Sequence, residues 1–178
     1  MRTAILILLL LLAFSLALAA PVQAKSAKPA KPRAILNGHV LWVHDGDTVD
    51  VLTSNLSIVR VRLYGIDCPE SDQFHGLAAT LFSAWHGLFR AVEVRVMDRD
   101  RYGRSVGWVI IKDGGGDLSR MLVENGHAWV YERYCAAREC VALAEAQDAA
   151  RRERLGLWLD PEPMPPWEWR RRGRSGRW

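Results

Sequence analysis

From Leu36 onward, apolar and polar residues alternate in short runs. β-Branched residues gather around Val40–Val43, Thr48–Leu52 and Ile58–Leu63, with Asp45-Gly46 and Ser54-Asn55 between them. Such pairs form tight turns, so this part of the chain predicts a meander of three short strands. Within Ile58–Leu63 a period of two puts Val59, Val61 and Leu63 on one face, and Arg60 and Arg62 on the other. The spacing then becomes helical over Gln73–Arg90, where Leu77, Leu81, Ala84 and Leu88 form an apolar stripe. Alternation returns at Val92–Met97 and Ser105–Ile111. Gly114-Gly115-Gly116 predicts a turn, and Leu118–Asn125 a short helix ended by Gly126. Val141–Leu155, rich in strong helix formers, predicts a last helix with Gly156 just past its end. Five short strands with a long helix after the third suggest an α+β domain. Its core would be a five-stranded barrel of the oligonucleotide-binding (OB) type with about three helices. Periodicity alone leaves other α+β arrangements open.

The two ends break this pattern. Ala4 to Ala20 is an almost unbroken aliphatic run, preceded by Arg2 and followed by small residues up to Ala24. That order predicts a secretory signal peptide over residues 1–24, cut after Ala24 or, as a second choice, after Ala20. The alternative is an uncleaved membrane anchor, for which the run is marginal, since a span needs about 20 residues. A basic linker at 25–35 follows, then the domain proper at 36–160 and a Pro/Trp/Arg-rich tail at 161–178. Pro161–Trp169 predicts extended chain, its tryptophans docked or exposed. The expected location is therefore secreted or periplasmic.

With 49% hydrophobic and 25% charged residues the chain has the profile of a soluble globular protein. The formal charge of +4 is unevenly spread: residues 1–34 carry five bases and no acids, and residues 151–178 a net of +4. Residues 35–150 are left with −5. Basic arms favour polyanions through counterion release, but suit solubility or a membrane surface equally well. An acidic domain that handles phosphate must gather positive charge locally, from a metal and a few arginines. Of the three cysteines, Cys135 and Cys140 are near enough in sequence to pair in an oxidising compartment, leaving Cys68 as the odd thiol.

Candidate chemistry sits in three turn-like clusters: Asp45-Gly46-Asp47-Thr48, Arg62 with Gly65-Ile66-Asp67-Cys68-Pro69-Glu70, and Asp100-Arg101-Tyr102-Gly103-Arg104. Singly they read as a hairpin turn, a capped helix entry and a solvated charged loop. Together they supply the parts for phosphodiester hydrolysis. Asp47 and Asp67 are hard oxygen ligands suited to calcium. Arg62 and Arg104 present guanidinium forks for phosphate, and Glu70 is left as the candidate base. The five histidines show no spacing typical of a metal site and read as ordinary surface or core residues.

In the order of these motifs, followed by Gly126–Tyr131, Ala144–Gln147 and Gly156-Leu157-Trp158, the chain resembles the staphylococcal-type thermonucleases from about Leu36 to Trp169. The resemblance implies an OB barrel and a calcium-dependent endonuclease that cuts DNA and RNA to leave 3′-phosphates. It implies calcium held by Asp47, Asp67 and the Cys68 carbonyl, with Arg62 and Arg104 on phosphate and Glu70 at the attacking water. Cys68 replaces the threonine of the best-known member, and the stretch after Glu70 is shorter than in that member. Tyr102 matches a tyrosine near the nucleotide; Tyr131 is a second candidate, its register ambiguous with Tyr134. Two other readings are a non-catalytic OB nucleic-acid-binding module and a membrane- or wall-tethered binding protein. All five of Asp47, Arg62, Asp67, Glu70 and Arg104 are present, which favours the enzyme. DNA and RNA are the expected partners, with no obligate protein partner, a monomeric state, and a membrane only if the signal segment is retained.

Overall fold

The computed structural model describes residues 31–135 and 138–175; the expected signal peptide and residues 25–30 of the linker lie outside them. In chain order the strands are β1 (Ala34–Asp45), β2 (Thr48–Thr53), β3 (Ile58–Leu63), β4 (Ile66–Asp67), β5 (Ala91–Arg99), β6 (Ser105–Ile111), β7 (Gly116–Asp117) and β8 (Trp129–Val130). The helices are α1 (Gly76–Gly87), α2 (Leu118–Glu124), α3 (Glu139–Arg152) and α4 (Pro166–Ser175). β1 pairs antiparallel with β2 and β5, β2 with β3, and β5 with β6. A parallel pairing of Val61–Leu63 with Ser105–Gly107 closes the five strands into a barrel, so the OB expectation holds. The alternating valines explain the closure: Val40, Val49, Val51, Val61, Val92, Val94 and Val109 point inward and are wholly buried. Their period of two leaves Asp47, Thr48 and Arg62 at strand ends, at the barrel rim.

Helix α1 corrects the sequence reading in extent and in orientation. It starts at Gly76 because His75 takes a left-handed conformation (φ 72°), and stops at Gly87 ahead of the left-handed Phe89. Half of the predicted apolar stripe faces outward, with Leu77 67% and Leu81 59% exposed, while Ala84 and Leu88 are half-buried; the neighbouring Trp85 is 85% exposed. The buried face consists of Gly76, Ala79, Ser83 and Gly87. Small residues let the helix lie close to the rim, and Gly46 in the β1–β2 turn shows how close. A Cβ at Gly46 would come within 2.7 Å of the Cys68 Cβ and 2.9 Å of the Ala79 Cβ. The Ser83 hydroxyl donates to the Gly46 carbonyl at 2.6 Å. Periodicity located a stripe, but close packing buried a neighbouring face of small residues.

The tail is the second correction. Pro161–Trp169 is not extended throughout, since Pro166 opens α4, where its missing N–H costs nothing. Trp167 stacks on Tyr131 at 4.9 Å and 6°, beside a cluster formed by Trp129, Ala150, Leu157 and Trp158. Gly126 and Gly156 lie back to back, each with φ above 50°, and the Leu157 N–H donates to the Gly126 carbonyl at 2.8 Å. This contact turns the chain after α3 back toward the rim. A disulfide joins Cys135 to Cys140, as compartment and proximity suggested, while Cys68 is free and buried.

His75 and His127 meet beneath α1, with ring nitrogens 3.0 Å apart, and Phe82 packs on His127. Burial, then the positive charge of His75 and His86, pushes His127 down to about 4 from 6.5. The folded state thus favours the neutral ring. The resulting stability is complete above about pH 6.5 and is lost as pH falls toward 4. We expect a melting temperature that declines over this window, and a shallower decline in His127→Phe. Equal slopes in thermal unfolding of the two proteins would contradict it.

Candidate active site

Three turns bring the sequence-predicted side chains to one end of the barrel. Asp47 closes the β1–β2 turn and is only 3% exposed; its N–H donates to Asp45 Oδ1 at 3.0 Å. Asp67, fully buried, lies on β4, which is held by pairing with β8. Arg62 at the end of β3 spans both carboxylates. One terminal nitrogen meets Asp47 Oδ1, and the other lies 2.6 Å from Asp67 Oδ1. A guanidinium fork is rigid and planar, so one side chain bridges both acids. The Cys68 N–H closes the arrangement by donating to Asp47 Oδ2 at 2.7 Å.

Glu70 follows on a tight turn in which the Gln73 N–H donates to the Glu70 carbonyl and Gln73 Oε1 accepts from the Glu70 N–H. Its side chain opens on a cavity of about 650 Å³ shared with Asp47, Arg62, Asp67 and Arg104. Arg104, just before β6, is aimed by Asp100. The Asp100 carboxylate accepts from Arg104 Nε at 2.6 Å, and from the backbone N–H groups of Tyr102 and Arg104 at 2.9 Å. Those donors, with the Arg104 charge, hold Asp100 below its ordinary value against the opposing effect of burial. Tyr102 lines the same cavity and also a neighbouring hollow of about 420 Å³ with Asp50 and Arg60. Its ring is 69% exposed and lies under Arg101 and Arg104. An open aromatic face framed by guanidinium groups can stack a nucleobase.

Tyr131 is placed elsewhere. It does not line the cavity, because Trp167 covers its ring, and Tyr134 packs edge-on against it. The rim also holds Asp45 and Arg101, members of the predicted clusters that were given no role of their own, and residues outside those clusters: Asp72 and, from α4, Trp169 and Arg170. Arg170 donates to Asp67 Oδ2 at 2.6 Å and to Glu70 Oε1 at 2.5 Å. The charged neighbours of Arg170 outweigh its burial and raise its affinity for its proton.

Among the described residues no group of three His, Cys, Asp or Glu side chains forms a ready metal cage. The donor chemistry nonetheless fits a hard cation that takes two carboxylates here and completes its shell with backbone, water and substrate oxygens. Burial pushes the Cys68 thiol well up, so it stays protonated and is a poor metal ligand. A metal ligand at this position would have to be the backbone carbonyl.

Residues 60–160 match the family model described as "Staphylococcal nuclease homologue". Three curated relatives have similar lengths. An "Uncharacterized endonuclease" of Escherichia coli O157:H7 is 40% identical over 78% of this chain and 88% of its own. A "Micrococcal nuclease" of Shigella flexneri is 39% identical over 80% and 84%. "Protein ParB" of Escherichia coli is 38% identical over 81% and 84%.

Proposed function

We propose, for a chain that belongs to the staphylococcal nuclease homologues, that its activity is calcium-dependent endonucleolytic hydrolysis of DNA and RNA leaving 3′-phosphates. Relatives in this family carry the names endonuclease and micrococcal nuclease, which supports cleavage of nucleic acid. The observation that carries the finer reading is the convergence of Asp47 and Asp67 on Arg62, with Glu70 and Arg104 opening on the same cavity.

In this reading Asp47, Asp67 and the Cys68 carbonyl would hold calcium. When bound, such an ion would supply positive charge to offset the negative charge building on the phosphate in the transition state. Arg62 and Arg104 each direct a fork of N–H donors at the scissile phosphate, countering charge as it builds on the equatorial oxygens. Glu70 orders a water for in-line attack on phosphorus and accepts its proton. The 5′ oxygen then leaves, and the 3′ oxygen keeps the phosphate. Tyr102 stacks an adjoining base, which suits a nuclease that reads no particular sequence. The Cys135–Cys140 disulfide supports the reading of residues 1–24 as an export signal, since disulfides persist in oxidising compartments.

The test is incubation of the chain lacking residues 1–24 with single- and double-stranded DNA and RNA, in calcium or in chelator. Cleavage only with calcium, with 3′-phosphate and 5′-hydroxyl ends by mass spectrometry, is expected. Undiminished cutting in chelator, or 5′-phosphate products, would contradict the mechanism.

A further inference from the structure

Helix α4 is fastened to the loop that carries Glu70. Gln73 Nε2 donates to the Met164 carbonyl at 2.5 Å, and Trp169 Nε1 to Asp72 Oδ1 at 3.1 Å. Trp167, stacked on Tyr131, fixes the start of the helix one turn earlier. Arg170 projects between these anchors into the acidic end of the cavity. Its Nη1 reaches both Glu70 Oε1 (2.5 Å) and Asp67 Oδ1 (3.3 Å), and its Nη2 reaches Asp67 Oδ2 at 2.6 Å. One rigid fork therefore bridges the fully buried Asp67 to the part-exposed Glu70.

That bridge matters because Glu70 stands on a short turn with its side chain 37% exposed. A free glutamate at such a place samples several rotamers. A misplacement of about 1 Å in a reacting group can cost roughly 100-fold in rate. Arg62, already spanning Asp47 and Asp67, is engaged on the other side of the site. We propose that Arg170 is a positioning residue of the active site, which bridges Asp67 and Glu70 to hold the Glu70 carboxylate beside the reacting phosphate. The C-terminal helix is thereby a working part of the catalytic centre rather than an appendage. This rests on the reading of Glu70 as the water-ordering carboxylate. Lysine cannot replace Arg170 fully, because a single ammonium lacks the planar fork needed for both partners.

The experiment compares steady-state cleavage of a DNA oligonucleotide in calcium by Arg170→Ala, Arg170→Lys and Arg171→Ala. Arg171→Ala removes the same charge from the same helix. In Arg170→Ala, kcat should fall about 10- to 100-fold with KM changed less than about threefold. Arg170→Lys should be intermediate, and Arg171→Ala should keep kcat. Guanidinium ion at concentrations too low to unfold the protein should restore part of the lost kcat in Arg170→Ala and none in the wild type.

Unchanged or raised kcat in Arg170→Ala overturns the proposal; a rise would make the helix a plug over Asp67 and Glu70. So does an equal fall in Arg171→Ala, or a loss that guanidinium leaves untouched. If Arg170→Ala fails to fold by circular dichroism, Arg170→Lys decides, and wild-type kcat there overturns the proposal. An inactive wild type, or a Glu70→Gln variant as active as wild type, fails the reading of Glu70. Active wild type with inactive Glu70→Gln and fully active Arg170→Ala fails the positioning role alone.

Discussion

Glu70→Gln is expected to lower kcat by about 10²- to 10⁴-fold, the range that a positioned general base contributes. The amide keeps the shape of the carboxylate, and its oxygen can still accept from Arg170 Nη1, so the site should retain its form. What is lost is the ability to take the proton from the attacking water. Arg62 and Arg104 remain to bind phosphate, so affinity for a DNA oligonucleotide should change by less than about threefold. Measured separately, turnover and equilibrium binding give a clear split. A variant that binds and cuts as well as wild type would remove Glu70 from its role.

Arg62→Ala carries the other large effect, on stability as well as on rate. Among the described residues it leaves Asp47, 3% exposed, without a guanidinium partner, while the fully buried Asp67 keeps only Arg170. Removing one partner of a buried ion pair commonly costs about 3–5 kcal/mol, because the remaining charge is neither solvated nor paired. In chelator, therefore, Arg62→Ala should unfold at markedly lower denaturant than wild type. Calcium should recover much of the difference, since an ion held by Asp47 and Asp67 would neutralise them. Cleavage should stay low even then, because one of the two phosphate forks is missing. Denaturant unfolding with and without calcium measures this; a variant as stable as wild type in chelator would contradict it. Arg62→Lys should fall between, since one ammonium cannot span both acids.

The motifs that build the site were legible because each is short and fixed by local rules. Asp45-Gly46-Asp47 is a hairpin turn, Arg62 falls on the outer phase of a period-two strand, and Gly65 takes the positive φ (76°) that turns β3 into β4. The strands were equally plain, since the inward valines could alternate only one way. Helix α1 shows the limit of such patterns. Leu77, Leu81 and Trp85 make the more hydrophobic face, yet Gly76, Ala79, Ser83 and Gly87 are buried, because backbone approach near Gly46 decides the packing. Arg170 was out of reach for a different reason. It lies 103 residues from Asp67 and 100 from Glu70, and Pro161–Pro166 reads as extended chain until Pro166 is placed at a helix start. The covering of Tyr131 was hidden for the same reason, since the Trp167 stacked on it belongs to that helix.

Calorimetric titration of calcium into the protein, in the presence of a short phosphorothioate DNA that resists cleavage, bears most directly on the arrangement of the site. One ion per chain should bind in the wild type, and Asp47→Asn and Asp67→Asn should each weaken that binding severely, by about 10-fold or more. Calcium binding with unchanged affinity in both variants would place the ion elsewhere and contradict the account.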